Sequence, residues 1–366
     1  MVRRLLLKIE FKYLILIFLF GLIFSFQLSF LSIFFILLRL FVGLNKIIYL
    51  ILSYIFLTFA FFDFFAPQIF LKESDYVTNS NIDYDINKHF GYYPKKNSEF
   101  TEQVYFKGNL LKTNIYSINK YGHRKTLNVN LEKSSCIIFY GGSIIFGQSL
   151  NDNETLPYFV SKKLKSKTSV FNYSFNGYGP HQFLSKIENN YVNELKNCET
   201  FKFVYFYIHD HIGRTVGKRS WGINSPRYVL DGNRIYQKGF FSTYPYKFIM
   251  KFRKNIRNSK IISTLYDVNK SSKKDEYLFV RILEKIEKKT KEIYFNSEFI
   301  YIFWNKENLN LELVNNFFKN KKILEIDKLN IPTIYHSNNI PGDNHPTKKF
   351  NDLLSQKFIN FLSLNK

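Results

Sequence analysis

A serine that follows two glycines at the end of an apolar run is the first candidate for chemistry. The run extends from Cys136 to Tyr140, and Gly141, Gly142 and Ser143 come next. An apolar run of this length closed by glycine predicts a buried strand of a parallel sheet. The glycines allow a sharp turn and keep bulk away from the serine. We therefore expect Ser143 just past the carboxyl end of a strand, where open α/β sheets bind ligands.

A serine nucleophile needs a base, and the base needs a group that orients it. Of the seven histidines, His345 stands out because Asp343 lies two residues before it and Pro346 follows it. Proline is favoured at the start of a helix, so this loop would hold His345 at the mouth of the last helix. We interpret Asp343 as orienting His345 toward Ser143. The alternative is a helix-capping aspartate beside an incidental histidine.

The elements that would position these residues alternate between strand and helix. Apolar runs predict strands, and helical spacing predicts helices. The predicted strands cover residues 136–140, 169–175, 201–208, 299–304 and 322–329. The predicted helices cover residues 155–167, 180–195, 275–289, 309–320 and 347–364. This alternation predicts a mainly parallel sheet with helices on both faces, a three-layer α/β/α sandwich of flavodoxin-like type.

The domain organisation predicted from these patterns has three parts. Residues 1–70 form a membrane anchor, residues 71–132 a β-rich lead-in packed on the main domain, and residues 133–366 the α/β/α domain. A segment rich in basic and aromatic residues, about 211–272, interrupts the alternation. A long insertion at the carboxyl edge of a sheet is often a cap or a binding loop. A membrane-facing or solvated basic surface is the alternative.

The amino-terminal 70 residues are typical of a membrane anchor. Residues 1–12 are basic, residues 13–38 carry no charge, and residues 47–62 are apolar again. Since a spanning helix needs roughly 20 apolar residues, we expect one or two transmembrane helices in contact with membrane lipid. The positive-inside rule places the amino terminus in the cytoplasm. Two spans would return the globular domain to the cytoplasm, whereas one span would leave it outside.

The formal net charge of +23 over 366 residues is compatible with nucleic acid, anionic lipid or acidic glycan as a partner. No zinc-finger spacing or aromatic RNA-binding signature accompanies the charge, so we predict no nucleic-acid partner. The two cysteines, Cys136 and Cys198, form no CxxC motif, and we expect no metal. If their strands are neighbours, the two could form a disulfide, which would imply an oxidising compartment. Two free buried thiols remain an equal alternative.

Three blocks of sequence together resemble the SGNH hydrolases, the GDSL-type lipases and esterases. The resemblance covers roughly residues 114–366. The first block comprises Gly141, Gly142, Ser143, Phe146, Gly147, Asp152, Glu154, Thr155 and Pro157. The second block is the stretch 172–179, and the last block is the stretch 343–346. Their order along the chain is more specific than any one of them alone.

The resemblance implies a role for each matching residue. Ser143 would be the nucleophile, His345 the base and Asp343 its orienting group. The backbone N–H groups of Ser143 and Gly177 would donate hydrogen bonds to the oxyanion. No metal or cofactor is needed for this chemistry.

The third block of the family departs from the usual pattern. A Gly-x-Asn-Asp motif is expected at the end of the strand, and its asparagine donates to the oxyanion. In this chain His209 falls at that position, and an imidazole N–H can also donate. The nearby Asp210, His211 and Arg214, with Asn176 of the second block, could instead contact the substrate.

The function implied by the resemblance is a membrane-anchored serine esterase. The substrate would be an ester-bearing small molecule, lipid or glycan. Transfer or removal of an acyl group, usually acetyl, on a cell-envelope polysaccharide is an alternative. A non-catalytic envelope protein that uses the same fold for binding or as a scaffold is an alternative from another class. The altered third block favours that last alternative, whereas the intact serine, histidine and aspartate oppose it.

Overall fold

The structure, a computed structural model, describes most of the chain. The described residues are 13–15, 17–18, 26–44, 47–70, 75–127, 134–164, 168–259, 270–304, 311–329, 340–341, 343 and 345–364. The basic run at residues 1–12, on which the predicted cytoplasmic amino terminus depends, lies outside them.

The helices and strands are numbered in chain order. In the amino-terminal half they are α1 (Phe26–Leu44), α2 (Ile47–Phe70), β1 (Tyr76–Ser80), β2 (Tyr84–Asn87), β3 (Gly91–Pro94), β4 (Glu99–Phe106), β5 (Asn109–Ser117), β6 (Ser134–Tyr140), α3 (Ser143–Phe146), α4 (Leu156–Leu164) and β7 (Thr168–Asn172). They continue with α5 (Pro180–Glu188), β8 (Cys198–Tyr207), α6 (Asp210–Thr215), β9 (Pro226–Asp231), β10 (Arg234–Phe240), α7 (Tyr246–Asn258), α8 (Lys273–Ile293), β11 (Ser297–Phe303), α9 (Glu312–Phe318), β12 (Lys322–Glu325) and α10 (Lys348–Leu364).

The chain divides into two compact units. The first contains Met1–Glu73, Lys218–Ile223 and Ser242–Lys270, and the second contains Ser74–Gly217, Asn224–Phe241 and Ser271–Lys366. The basic insertion predicted at about 211–272 is therefore divided between the two units.

In the first unit, α1 and α2 pack through aromatic rings. The ring of Phe30 lies 6.4 Å from that of Phe56 and 6.1 Å from that of Phe59, between centroids. Among the helices that the structure describes, none is at once long enough and apolar enough to cross a membrane. The predicted transmembrane helices are therefore not supported: α1 includes Arg39 and α2 includes Asp63, whereas a span needs about 20 apolar residues.

In the second unit, the predicted parallel sheet is confirmed. Its strand order is β12-β11-β8-β6-β7, and every pair of neighbours runs parallel. Side chains along β6 alternate between two cores: Ile138 belongs to the core under α5, α8 and α9, and Ile137 to the core under α4 and α10. Strands buried on both faces explain why the sequence shows continuous apolar runs. The α/β/α layering is thus the predicted one.

Strands β7 and β12 and helix α5 are among the elements that end earlier than the sequence predicts. Strand β7 stops at Asn172, whose side chain donates to the Ile145 carbonyl at 2.9 Å and accepts from the Ser174 N–H at 3.2 Å. Helix α5 stops at Glu188, because the Asn189 amide donates back to the Ser185 carbonyl at 2.8 Å. Strand β12 stops at Glu325 and continues as a 3₁₀ turn. Local side-chain hydrogen bonds of this kind compete with regular structure.

The lead-in before β6 is made of antiparallel strands. Strands β1, β4 and β5 form one small sheet, in the order β1-β4-β5, and β2 and β3 pair with each other. Aromatic side chains of this region, Phe100 and Tyr116, share a core with Phe146, Phe175 and Tyr178. The lead-in therefore packs on the loops that follow β6 and β7, which carry the first and second sequence blocks.

Cys136 of β6 and Cys198 of β8 form a disulfide, with 5.8 Å between their Cα atoms. The two strands are direct neighbours, which was the condition set by the sequence. The alternative of two free thiols is therefore not the one that the structure adopts.

We expect removal of this disulfide to destabilise the second unit. Linking residues 62 positions apart restricts the unfolded chain, and the chain-entropy relation gives about 4 kcal/mol for a loop of this size. The double variant Cys136→Ala with Cys198→Ala should lose about this much unfolding free energy in urea titrations. Dithiothreitol should destabilise the parent chain and leave the double variant unchanged. Equal stability of both proteins without reductant would contradict the prediction.

Candidate active site

The turn after β6 places Ser143 at the carboxyl end of the sheet. Strand β6 ends at Tyr140, and Ser143 begins the short helix α3, with only 7% of its surface exposed. Gly142 precedes it in a crowded place: a Cβ there would lie 2.5 Å from Nη1 of Arg214 and 3.1 Å from Nε2 of His211. Only glycine fits this approach without displacing those side chains.

The structure brings Ser143, His345 and Asp343 together. The Oγ atom of Ser143 lies 2.7 Å from Nε2 of His345, and Nδ1 of His345 lies 2.7 Å from Oδ2 of Asp343. An ionised carboxylate only accepts hydrogen bonds, so Nδ1 carries the proton and donates it to Asp343. Nε2 is then free of hydrogen and accepts the hydroxyl hydrogen of Ser143. This is the arrangement that activates a serine nucleophile.

Two backbone hydrogen bonds shape the loop that carries the base. The Asp343 N–H donates to the Ile340 carbonyl at 2.9 Å, and the Ile340 N–H donates to the His345 carbonyl at 3.0 Å. Helix α10 begins at Lys348, one residue later than the sequence predicts. Thr347 opens it, because its hydroxyl accepts from the Phe350 N–H at 3.3 Å. These hydrogen bonds hold the loop that carries Asp343 and His345 at the start of α10.

Tyr76 of β1 is a neighbour of the aspartate that sequence reasoning missed. Its hydroxyl lies 2.5 Å from Oγ of Ser149 and close enough to Asp343 to feel its charge. Burial raises the pKa of Tyr76, and the Asp343 charge raises it further, so the phenol remains protonated near neutral pH. A neutral phenol therefore lies beside the Asp343 carboxylate, and Ser149 of the loop after the serine turn holds it there.

Arg124 holds the loop at residues 146–152, which directly follows the serine turn. Its side chain is fully buried, and Nε donates to Oδ1 of Asp152 at 2.8 Å. Nη1 donates to the Phe146 carbonyl at 2.8 Å and to the Gly147 carbonyl at 2.6 Å. Nη2 donates to the Leu150 carbonyl at 2.6 Å. The planar guanidinium suits such a set of acceptors, which one ammonium could not satisfy together.

Strand β5 of the lead-in also binds this loop. The Ser149 N–H donates to the Tyr116 hydroxyl at 2.8 Å, and the Ile115 N–H donates to Oδ1 of Asn151 at 2.9 Å. The Ser117 N–H donates to Oδ2 of Asp152 at 3.0 Å. The first sequence block therefore takes its shape from residues that precede β6. The local sequence of β5 and of Arg124 gave no signal for these contacts.

The second sequence block forms the loop between β7 and α5. Gly177 has φ of +77°, a left-handed conformation that favours glycine. The Asn176 carbonyl accepts from the Tyr92 hydroxyl at 3.0 Å, and the Tyr178 carbonyl accepts from Nη1 of Arg214 at 2.9 Å. The peptide before Gly177 and the peptide after Tyr178 are thus both held. Donation by the Gly177 N–H to an oxyanion stays a prediction, as does contact between Asn176 and a substrate.

The residues after β8 support the site from inside the protein. Nε of Arg214 donates to Oδ2 of Asp210 at 2.7 Å, one turn earlier in α6. His211 is buried, and its Nδ1 lies 2.6 Å from the Tyr205 hydroxyl. Burial lowers the pKa of His211 well below its usual range, and the Arg214 charge lowers it further, so the imidazole is neutral. Arg214 therefore links the second-block loop to α6, next to Gly142. Contact between a substrate and Asp210, His211 or Arg214 stays a prediction.

His209, the residue aligned with the usual asparagine, is exposed and directly precedes α6. We expect His209→Ala to lower kcat by about 10²–10³-fold with little change in KM, the usual cost of losing one oxyanion donor. His209→Asn should restore much of the rate, because it reinstates an amide donor. Both variants would be measured on one activated ester. An unchanged kcat in His209→Ala would remove the ring from the oxyanion site.

Over the described ranges, no group of three or more histidine, cysteine, aspartate or glutamate side chains is arranged to hold a metal ion. The side chains that meet at Ser143 are the imidazole of His345 and, behind it, the carboxylate of Asp343.

Comparisons with known proteins give weak likenesses. No protein-family model matches the sequence, and no curated protein matches it. Among solved structures, a psychrotrophic esterase from Pseudoalteromonas sp. has a TM-score of 0.36 at 11% identity, covering 64% of this chain and 100% of its own. A putative GDSL-like lipase from Parabacteroides merdae has a TM-score of 0.36 at 11% identity, covering 65% and 100%. An acetyl xylan esterase from Butyrivibrio proteoclasticus has a TM-score of 0.38 at 10% identity, covering 79% and 87%.

These neighbours are described as esterases and a GDSL-like lipase, the class to which the three sequence blocks point. A likeness at such TM-scores carries no argument of its own. The interpretation of the site rests on its geometry.

Proposed function

We propose that the chain is a serine esterase of SGNH type that hydrolyses an ester-bearing small molecule, lipid or glycan. The observation that carries the proposal is the continuous hydrogen-bonded series from Ser143 through His345 to Asp343, with 2.7 Å at each contact. These three residues come from two loops, 202 positions apart, that meet at one edge of the sheet. A capping aspartate with an incidental histidine would have no reason to face the serine.

In the first half of the reaction, Oγ of Ser143 forms a bond to the ester carbonyl carbon while its hydrogen passes to Nε2 of His345. The carbonyl π electrons move to the oxygen, giving a tetrahedral oxyanion. We propose the N–H groups of Ser143 and Gly177, with the His209 ring, as its donors. The ester C–O bond then breaks, and the leaving alkoxide takes the proton from His345. An alcohol departs, and the acyl group stays on Ser143.

In the second half, water attacks the acyl carbon, and His345 takes a proton from that water. Collapse of the second tetrahedral oxyanion breaks the bond to Oγ, which regains the proton from Nε2. A carboxylic acid departs, and Ser143 and His345 return to their starting states. Asp343 remains ionised throughout, stabilising the imidazolium and holding its orientation.

Labelling with a fluorophosphonate probe tests the proposal directly. The probe reacts with activated serines and loses fluoride, so the phosphonylated residue can be mapped by peptide mass spectrometry. We expect label on Ser143, loss of the label in His345→Ala, and unchanged labelling in Ser363→Ala, which changes an exposed serine near the carboxyl terminus. Absence of label on Ser143 in the folded parent chain would overturn the proposal.

We further propose that the second unit works in an oxidising compartment and that the chain is attached to a membrane through its amino-terminal region. The Cys136–Cys198 disulfide supports the first part, since such bonds persist mainly outside the reducing cytosol. Exposed apolar side chains along one stripe of α2 support the second. They are Ile47, Ile48, Ile51, Tyr54 and Ile55.

Membrane attachment predicts a specific behaviour in fractionation. Alkaline carbonate strips proteins held by charge alone, so a chain held by apolar contact should stay with the pelleted membranes. A variant lacking residues 1–70 should move to the supernatant if it remains folded, as judged by fluorophosphonate labelling. Release of most of the full chain by carbonate would contradict this attachment and leave the esterase proposal intact.

A further inference from the structure

A groove of about 580 Å³ lies between the β9–β10 hairpin and helix α8 in the second unit, and we call it the α8 groove. Five basic and two acidic side chains line it. The basic ones are Arg234, Arg281, Lys285, Lys288 and Lys289, and the acidic ones are Glu284 and Glu292. A concave surface with an excess of one charge concentrates ligands of the opposite charge.

Two of the basic side chains fasten the hairpin to the helix. Nη2 of Arg281 donates to the Asn233 carbonyl at 3.0 Å, and Nζ of Lys285 donates to the Ile235 carbonyl at 2.7 Å. The Ile235 side chain is buried in the core beneath α8. The two walls of the groove are thus held in place by the protein itself, which lowers the cost of ordering them when a ligand binds.

The acidic partners available to this groove do not neutralise all of its cations. The ion pairs are Arg281 with Glu284 at 2.5 Å, Lys289 with Glu292 at 2.7 Å, and Lys285 with Glu188 of α5 at 2.5 Å. Arg234 on the hairpin and Lys288 on the helix are exposed. In the described part of the chain, the side chain of neither one forms a hydrogen bond or a salt bridge. Each wall therefore offers one cation to an anionic ligand.

Tyr236 adds an aromatic surface next to Arg234. Successive side chains of a strand point to opposite faces, so Arg234 and Tyr236 share the outer face of β10 while Ile235 points into the core. The Tyr236 side chain lines the groove and is 42% exposed. A ring face beside a cation suits a ligand that combines apolar C–H surface with negative charge, as a sugar ring that carries a carboxylate does.

The length of the groove and its mixture of charges favour a glycan chain over a nucleic acid. From Arg281 to Glu292 helix α8 rises about 16 Å at 1.5 Å per residue, which suits a chain of several units. Glu284 and Glu292 accept hydrogen bonds from hydroxyl groups and repel closely spaced phosphates. The Cys136–Cys198 disulfide is typical of an oxidising compartment, where polysaccharide is the more abundant polyanion.

We propose that the α8 groove binds an acidic polysaccharide whose sugar units carry carboxylates. Arg234 and Lys288 bind carboxylates from the two walls, with Arg234 able to form a bidentate pair. Tyr236 stacks on a sugar ring, and the two glutamates accept hydrogen bonds from its hydroxyl groups. None of these residues belongs to the series from Ser143 to Asp343, so this inference is independent of the esterase chemistry.

Calorimetric titration of the full chain in non-ionic detergent tests the groove. The probe is a hexamer of α-1,4-linked galacturonic acid. Its matched control is the same hexamer with every carboxylate reduced to an alcohol, which keeps the chain and removes the charge. A uridylate hexanucleotide serves as a polyanion of the other class. We expect binding of the acidic hexamer that weakens at high salt, and binding at least ten-fold weaker for both other probes.

Variants assign this binding to the groove. Each hydrogen bond between charged groups contributes about ten-fold, so Arg234→Gln combined with Lys288→Gln should weaken binding about 100-fold. Tyr236→Ala should weaken it about five-fold, whereas Tyr236→Phe keeps the ring and should bind like the parent chain. Lys274→Gln combined with Lys357→Gln, an equal change of charge at exposed positions outside the groove, should leave binding unchanged. All these positions are exposed, so the melting temperatures should match that of the parent chain.

Four results would overturn the inference. The folded chain could fail to bind the acidic hexamer. Equal binding of the reduced hexamer would show that carboxylates are not recognised, and tighter binding of the hexanucleotide would assign the groove to nucleic acid. An equal loss in the control pair of lysine variants would show a diffuse effect of net charge. Fluorophosphonate labelling of Ser143 should be the same in every variant, so it reports separately on the esterase proposal.

Discussion

Ser143→Ala is expected to lower kcat for an activated nitrophenyl ester by about 10⁶-fold, the scale seen when a serine hydrolase loses its nucleophile. The reason is that no other described hydroxyl lies 2.7 Å from Nε2 of His345, the distance that Ser143 has. KM and the melting temperature should change little, because the lost atom is small and its turn is held by neighbouring residues.

The companion variant shows whether the serine and the histidine act as one unit. His345→Ala should cost nearly as much as Ser143→Ala, and the double variant should be little worse than either, because members of one catalytic unit are not additive. Rates would be compared after confirming that each variant melts like the parent chain. Wild-type turnover in Ser143→Ala, or fully additive losses in the double variant, would contradict the mechanism.

Arg124→Ala is expected to lower both the stability and the rate. Removing the guanidinium leaves the carbonyls of Phe146, Gly147 and Leu150 without their arginine donor and Asp152 without its ion-pair partner. Removing one partner of a buried ion pair typically costs about 3–5 kcal/mol of unfolding free energy. The loop after Ser143 would also shift, and a displacement of about 1 Å at a reacting group can cost about 10²-fold in rate.

Two further variants separate positioning from stability. Arg124→Lys keeps the charge but reaches fewer acceptors, so we expect a lower kcat, an unchanged KM and a smaller loss of stability than for alanine. Arg281→Ala removes a partly exposed arginine paired with Glu284 and should change stability by no more than about 1 kcal/mol, with no change in rate. Unfolding would be followed in urea, and rates would be measured on the folded fraction. A stable Arg124→Ala variant with the parent kcat would contradict the role of this residue.

The sequence by itself determined the central sheet and the identity of the residues at its edge. Apolar runs such as that from Cys136 to Tyr140 predict buried strands because both faces of a parallel sheet are covered, and that local signal needs no tertiary information. The turn at Ser143 and the pairing of Asp343 with His345 could likewise be predicted, because each signal lies within a few residues of the sequence. The order of the three blocks then indicated which residues to pair.

Only the tertiary structure decided what surrounds them. Arg124, Tyr116 and Tyr76 precede β6, and nothing in their local sequence indicates that they bind the loop after Ser143. The choice between a disulfide and free thiols needed the neighbouring positions of β6 and β8. Hydrogen bonds with Tyr205 and Asp210, and with the Tyr178 carbonyl, make the buried His211 and Arg214 supports of the site's loops. Such contacts join residues far apart in the chain, so they depend on tertiary packing. A periodic pattern in the sequence indicates only which face of a helix or strand is apolar.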